Sequence, residues 1–350
     1  MSEGLSKKIS IYNFIFTMGI VIYHWKNFYI SYSSKTNVFT ELMFQWYNLL
    51  GSICLGFFFA ISAYLFYLGV DSKDTLVKKI KKRLLTLGIP FIVWNILYLG
   101  YKLIYSILRG KGIDISPMDL LKGFTLEPFD GPFWYVFALL LLMAFSPLLL
   151  KLRKRPKIFL AMLLGVFFGC CAASQLFNSE KLIFSWLLRM ANYLPLYLLG
   201  AYLGACKSDM ISDGKYINKW ISACAAVLSA VIIVYLVAFD FNIMLLSWIL
   251  RVILPISLWL SVPDNVFENA KIGFPLKISF FIYAMHSLLI GILNTLFVKV
   301  VGYNSISPLP TTACHLGLLF VLYLICFSFA YIAKKILPSK LYFALSGGRT

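Results

Sequence analysis

The sequence predicts an all-α protein embedded in a membrane, with about ten transmembrane helices. Hydrophobic residues make up 61% of the 350 residues and charged residues 13%, whereas a soluble domain carries roughly a quarter charged residues. Apolar runs of bilayer-spanning length recur from one end of the chain to the other. A transmembrane β-barrel would instead show alternating segments of about ten residues. One membrane domain over residues 1–350 is therefore predicted.

The apolar runs are long enough to cross a bilayer as helices. In chain order they are Ile9–Ile30, Trp46–Val70, Leu84–Ile107, Phe133–Leu150, Ile158–Leu176, Leu182–Ala205, Ile217–Phe239, Ile243–Val262, Ile278–Val298 and Thr311–Leu337. The connection from Leu108 to Pro132 is a candidate lid, although an ordinary long loop is the simpler interpretation. The first run is too long for a signal-peptide core and lacks a cleavage site, so it is predicted to be a span.

The positions of the basic residues predict the orientation of the chain. The formal net charge is +18, and two basic clusters, Lys78–Arg83 and Lys151–Lys157, lie in short connections between apolar runs. Cytoplasmic connections of membrane proteins are enriched in Lys and Arg, so both termini are predicted to be cytoplasmic. The expected partner of these clusters is the anionic inner leaflet of the bilayer rather than nucleic acid.

Several ionisable residues within the spans are candidates for chemistry: His24, His286, Arg189 and Arg251. Such groups are costly in a bilayer and often mark functional sites. Neutral histidine is suited to take and return a proton, and an arginine needs an anionic partner. No carboxylate lies mid-span beside either arginine, which leaves a bound anion or a developing oxyanion as the partner. Their depths would let several of them share one cavity.

Each of these residues also has a simpler interpretation. A membrane histidine more often bonds to a neighbouring helix than takes part in catalysis, and Arg189 can extend to the outer interface. His315 lies close to the start of its span and is predicted to be interfacial. Trp134 fits the aromatic belt at span ends. The seven cysteines lack CxxC spacing, so neither a metal site nor a disulfide framework is predicted.

Six segments together carry a family resemblance. They are IVIYHW, GFFFAISAYLF, KKIKKRLLTLGIPFIVW, PFWYVFALLLL, YLPLYLLGAYLG and ISFFIYAMHSLLI, which begin at Ile20, Gly56, Lys78, Pro132, Tyr193 and Ile278. Each is mostly apolar and weak alone, but in this order and spacing they resemble the membrane acyltransferases of acyltransferase family 3 over nearly the whole chain.

The resemblance implies an enzyme that moves an acyl group, usually acetyl, from cytoplasmic acyl-CoA to a hydroxyl group. The acceptor would be a cell-surface or lipid-linked saccharide. No permanently bound cofactor is implied, because acetyl-CoA is the donor substrate. The implied location is a cell membrane, the bacterial inner membrane being the typical one for this family.

The resemblance also implies roles for particular residues. His24 matches the presumed catalytic histidine of the first span, and Lys82 and Arg83 match a basic motif that would meet the phosphates of CoA. Tyr283 and His286 match the tyrosine and histidine of the ninth span. His24 would act as the general base on the acceptor hydroxyl. A covalent acyl-histidine intermediate remains an open alternative to direct transfer.

Further candidates complete the predicted site. Arg251, Arg189 or His286 would stabilise the oxyanion formed on the thioester, with His286 and Arg251 counted as catalytic. Trp134, Arg189 and Tyr283 are the candidate substrate-binding residues.

One position departs from the family pattern. The family usually has an arginine eleven residues before the first-span histidine, and this chain has Asn13 there. The missing charge is expected from Arg251 or Lys8, unless the donor is held differently or the chain is inactive.

A transporter or flippase of a sugar or lipid is the alternative function. Transporters often contain inverted repeats and broken helices. Pro195 and Pro255 are positioned to break the sixth and eighth spans, but the two halves of the sequence show no match.

Overall fold

The computed structural model describes residues 2–25, 38–110, 112, 115–176, 182–207, 218–239, 244–301 and 308–348. Within these residues the regular elements are helices, without strands. The α-helices are α1 (Glu3–His24), α2 (Val38–Tyr67), α3 (Lys73–Arg83), α4 (Ile89–Leu108), α5 (Pro117–Gly123), α6 (Trp134–Met143), α7 (Ser146–Arg153), α8 (Pro156–Leu176), α9 (Leu182–Ala191), α10 (Leu194–Cys206), α11 (Lys219–Ala238), α12 (Met244–Ser261), α13 (Phe274–Lys277), α14 (Ser279–Val301), α15 (Pro308–Ile336) and α16 (Ser339–Ser346). Short 3-10 helices cover Gly131–Phe133 and Asp264–Phe267, and a π-helical turn covers Leu84–Gly88.

The helices confirm an all-α protein that crosses the membrane several times. In the described part of the chain, 7 helices are long and apolar enough to be spans, or up to 9 if two bent pairs are each one span. The predicted eighth span corresponds to the shorter apolar helix α12. The total of ten and the location of the termini stay predictions. The predicted span ends at Ile30, Ile217 and Ile243 lie outside the described residues.

Prolines and a π-helical turn shape three of the spans. The sixth span bends by 42° between α9 and α10, just before Pro195, so this predicted break is present. Pro255 lies inside the continuous helix α12, so the second predicted break is absent. The helix that contains the third span begins at Lys73, before the predicted span start at Leu84, because α3 continues through the π-helical turn into α4.

Close helix packing holds the centre of the bundle together. Helix α2 packs against α1, α10, α11 and α12. Gly200 and Gly204 of α10 lie directly against the backbone of α2, where a Cβ atom would overlap the carbonyl oxygens of Ala60 and Tyr64. Small residues allow helices in membranes to approach this closely. Helix α2 therefore fixes the positions of the helices that form the walls of the candidate active site.

The predicted basic clusters lie at one end of the bundle, which we call the basic end. The Arg153 Nη1 and Asp71 Oδ1 atoms are 2.8 Å apart and join α7 to the segment before α3. Lys78, Lys82 and Arg155 are exposed there. Helix α1 begins at this end and runs antiparallel to α2, and the assignment of the basic end to the cytoplasm stays a prediction.

Two contacts hold the first and last described helices at the basic end. The Lys8 ammonium is buried, lies 3.0 Å from Asp264 Oδ1 and sits over the Trp259 ring at 4.3 Å. The Trp94 indole N–H donates to the Leu345 carbonyl oxygen of α16 at 2.9 Å. Since Lys8 is already paired with Asp264, it does not supply the charge missing at Asn13.

Candidate active site

Two histidines from different helices lie side by side. His24 is the last residue of α1, and His286 lies on α14 with its ring centroid 5.0 Å from that of His24. The His286 Nδ1 atom is 2.6 Å from the Tyr283 carbonyl oxygen. A carbonyl oxygen only accepts hydrogen bonds, so Nδ1 carries a proton and the neutral ring keeps its lone pair on Nε2. That Nε2 atom is buried and has no hydrogen-bond partner among the described residues.

His24 faces a large cavity, which we call the His24 cavity. Its volume is about 660 Å³, and it lies between α1, α2, α6, α9, α10, α11, α12 and α14. The residues that line it include Tyr23, His24, Trp134, Arg189, Asn192, Tyr193, Arg251 and Tyr283. His286 is behind His24 and fully buried, so it supports the wall of the cavity rather than facing its interior.

Both predicted arginines face this cavity. Arg189 lies over the Trp134 ring, with its guanidinium carbon 5.2 Å from the ring centroid. The Tyr193 ring stacks on Phe59 beneath them, with centroids 5.2 Å apart. Among the described residues, the lining of this cavity includes neither Asp nor Glu, and the ion pairs involve neither Arg189 nor Arg251. Within that part of the chain, the wall carries two positive charges and no carboxylate.

A second, smaller cavity, which we call the Arg83 cavity, lies toward the basic end. Its volume is about 80 Å³, and its lining includes Asn13, Arg83, Tyr135 and Tyr283. The Arg83 guanidinium donates to the Ser62 hydroxyl at 3.2 Å and to the Ser62 carbonyl oxygen at 2.9 Å. Arg83 thus brings a positive charge to the cavity that contains Asn13.

The two cavities lie end to end along α1. Asn13 and Thr17 line the Arg83 cavity, and Tyr23 and His24 line the His24 cavity. A helix rises about 1.5 Å per residue, so the eleven residues from Asn13 to His24 span about 16 Å. Tyr283 lines both cavities, and its hydroxyl donates to the carbonyl oxygen of Pro132. The wall between the cavities is therefore built around Tyr283.

The structure separates the two predicted CoA-binding residues. Arg83 lines the Arg83 cavity, whereas Lys82 is exposed and lines neither cavity. The neighbouring Lys79 turns back toward α2 and donates to the carbonyl oxygens of Leu65 and Leu68 at 2.9 and 3.0 Å. Lys82 can therefore contribute only at the outside of the basic end.

A buried polar cluster next to the site was not predicted. The Ser287 hydroxyl donates to Asp130 Oδ1 at 2.6 Å and lies 3.0 Å from the Tyr98 hydroxyl. Asp130 is fully buried and immediately precedes Gly131 and Pro132, which line the His24 cavity. The cluster therefore ties one wall of the cavity to α14. The sequence signal for this cluster was Asp130 itself, an aspartate just before the PFWY segment. It was assigned to the long loop.

A second polar cluster surrounds His315. This residue is buried within the bundle, with Nδ1 2.9 Å from the Tyr47 hydroxyl, and its interfacial depth in the membrane stays a prediction. Trp25, the residue after His24, packs 5.5 Å from the His315 ring and donates from its indole N–H to Asn294 Oδ1 of α14 at 2.7 Å. A buried histidine near the start of a span is possible because α1, α2 and α14 cover it.

The sequence of this chain matches a known protein family. A family described as an acyltransferase domain, family 3, matches residues 14–333, which is nearly the whole chain. The chain belongs to this acyltransferase family. No curated protein and no solved structure matches it. The membership identifies a membrane acyltransferase and argues against the transporter alternative. The matched region begins directly after Asn13, the position that departs from the expected pattern.

Proposed function

We propose that this membrane acyltransferase is an O-acyltransferase that moves an acyl group, most simply acetyl, from acyl-CoA to a hydroxyl of a saccharide. The observation that carries the proposal is the pair of cavities that lie end to end and share Tyr283. One contains the Arg83 cation toward the basic end, and the other is lined by His24, with His286 buried behind it. A donor entering from one end and an acceptor from the other would meet near Tyr283 and His24.

The donor would bind from the basic end. The Arg83 cavity, of about 80 Å³, is much smaller than the His24 cavity, so it would hold the acyl end of the thioester rather than a whole nucleotide. The nucleotide part of CoA would then remain at the surface, where Lys82 and the neighbouring lysines attract its phosphates. Arg83, held by Ser62, supplies the positive charge beside Asn13.

The acceptor would bind in the His24 cavity. Its volume of about 660 Å³ lies within the range of ligand pockets, and Trp134 and Tyr193 offer aromatic surface for a sugar ring. Tyr23, Asn48 and Asn192 add polar groups to the lining. The lipid bilayer around the bundle would allow a lipid-linked acceptor to enter from the side.

The proposed reaction is a nucleophilic substitution at the thioester carbonyl carbon. His24 takes the proton of the acceptor hydroxyl, and the resulting oxygen attacks the thioester carbonyl carbon. The new C–O bond forms first and gives a tetrahedral oxyanion; as it collapses the C–S bond breaks, and the CoA thiolate leaves and takes the proton back from His24. Arg251 shares the cavity with His24 and would stabilise the oxyanion, an effect typically worth a few kcal/mol. His286 would act as a positioning residue, since it is buried behind His24.

The test uses protein in nanodiscs, radiolabelled acetyl-CoA and a crude lipid-linked glycan fraction. We expect label in the glycan for the wild type and at least a hundredfold less for His24→Ala, as expected for loss of a general base. The matched control is His315→Gln, a change of the buried histidine outside both cavities, which should keep most of the activity in correctly folded protein. Near-normal transfer by folded His24→Ala would exclude His24 as the base.

A further inference from the structure

The His24 cavity carries more positive charge than the proposed reaction requires. Arg189 and Arg251 both line it, and the described residues of its lining include neither Asp nor Glu. Ionisable residues that face a cavity inside a membrane protein often mark a substrate pathway, and a guanidinium favours an anionic ligand. The reaction develops one negative charge, on the thioester oxygen, and Arg251 accounts for it. Arg189 is left with a charge that the chemistry does not use.

Arg189 has an exposed side chain at the wall of the cavity. Its guanidinium lies over the Trp134 ring at 5.2 Å, a cation–π contact that orients the side chain. Asn192, in the bend after α9, lines the same cavity and donates from its amide nitrogen to the Leu188 carbonyl oxygen at 3.0 Å. Its amide oxygen therefore remains an acceptor for a hydroxyl beside the Arg189 guanidinium.

The donor does not explain the charge of Arg189. In the proposed function the phosphates of CoA stay at the basic end, near Arg83. Thr17, the residue of the Arg83 cavity nearest to His24 on α1, lies about 10 Å from His24 along the helix, and Arg189 faces the cavity on the His24 side. The anion that Arg189 binds must therefore arrive with the other substrate.

We propose that the acceptor is an anionic saccharide, whose phosphate or carboxylate group is bound by Arg189 while one of its hydroxyls reaches His24. The guanidinium binds both kinds of anion through two parallel N–H donors, and its contact with the Trp134 ring orients it toward the cavity. This inference rests on the proposed function, because it names the substrate class of the same site.

The test compares three probes that differ in charge: glucose, glucuronic acid and glucose 1-phosphate. Each is added as an inhibitor of label transfer from acetyl-CoA to the crude glycan fraction by the wild-type protein in nanodiscs. We expect at least one anionic probe to inhibit at a concentration about tenfold or more below that of glucose, the factor expected for one hydrogen bond to a charged group. Comparison of the two anionic probes distinguishes carboxylate from phosphate.

Variants of Arg189 test the assignment. Arg189→Gln should remove the preference for the anionic probe and raise KM for the glycan about tenfold or more, with a smaller change in kcat. Arg189→Lys, which keeps the positive charge but not the two parallel N–H donors of the guanidinium, should recover part of the preference for the anionic probe. Arg155→Gln, a change of an exposed arginine at the basic end, is the matched control and should leave both values unchanged.

The outcomes separate this inference from the proposed function. Equal inhibition by glucose and the anionic probes, or a loss in kcat alone for Arg189→Gln, would overturn the anionic acceptor while leaving acyl transfer in place. If the wild type transfers no label, thermal shifts with the same probes decide the anion site alone. Selective stabilisation by an anionic probe that is lost in Arg189→Gln then supports the site, and equal shifts refute it.

Discussion

Replacement of Asp130 by asparagine should remove a pH dependence of stability from this protein. Asp130 precedes the membrane-spanning pair that begins at Gly131. Its carboxyl is fully buried, and burial raises its pKa to about 8, against the opposing effect of the hydrogen bonds from Ser287 and Tyr98. The folded protein therefore keeps a proton on Asp130 that the unfolded chain releases near its ordinary pKa of about 3.9.

The sign and size of the effect follow from these two pKa values. The folded-state pKa is the higher one, so the stabilisation is complete below about pH 4 and is lost as the pH rises toward about 8. Within that window the slope is about 1.4 kcal/mol per pH unit. Between pH 5 and pH 7.5 the wild type should lose about 3 kcal/mol that Asp130→Asn does not lose. Tyr98, as a phenol, does not titrate in this window.

The assay is chemical or thermal unfolding of detergent-solubilised protein at pH 5, 6, 7 and 7.5. The quantity of interest is the difference between Asp130→Asn and wild type at each pH, because groups that titrate in both proteins cancel in it. Asp119→Asn is a matched control, since Asp119 is an exposed carboxylate in the same connection. A difference that stays constant across this range would refute the argument that Asp130 is protonated in the folded protein.

Two further substitutions test the packing around the site. Gly200→Ala places a methyl group against the Ala60 carbonyl oxygen and should destabilise the protein by about 1–3 kcal/mol in an unfolding assay. Gly165→Ala, in open space on α8, is the control and should be neutral or slightly stabilising. Equal effects of the two substitutions would contradict the close approach of α10 to α2. Tyr283→Phe removes the hydrogen bond to the Pro132 carbonyl oxygen and should lower the free energy of unfolding by about 0.5–1.5 kcal/mol. It should also reduce label transfer from acetyl-CoA. Unchanged transfer would argue against a role in catalysis for the wall between the two cavities.

The fold was largely predictable because a bilayer imposes simple requirements on a sequence. Long apolar runs have to be helical when no water is present to bond the backbone, so the positions of the spans followed from hydropathy. The break before Pro195 was predictable from proline chemistry. The continuous course through Pro255 was not, because membrane helices tolerate proline where neighbouring groups satisfy the freed carbonyl.

The candidate site was only partly predictable, because side-chain direction depends on neighbours. His24, Arg189 and Arg251 were predicted from their cost in a bilayer, and they do share a cavity. The sequence could not tell that Arg83 lines a cavity while Lys82 is exposed, because adjacent helical residues point about 100° apart and the sequence does not say which direction is inward. Asp130 was overlooked because its burial comes from α14, far away in the chain.

The shared wall at Tyr283 has a consequence for the permeability of the membrane. In the proposed function the two cavities receive their substrates from opposite sides of the membrane, and the wall between them would have to preserve the ion gradients of the cell. The Phe133 ring stacks on Tyr283 with centroids 5.6 Å apart, so the partition is aromatic and uncharged. An acyl group is itself uncharged, and a partition of this kind is suited to admit it while still excluding protons and metal ions.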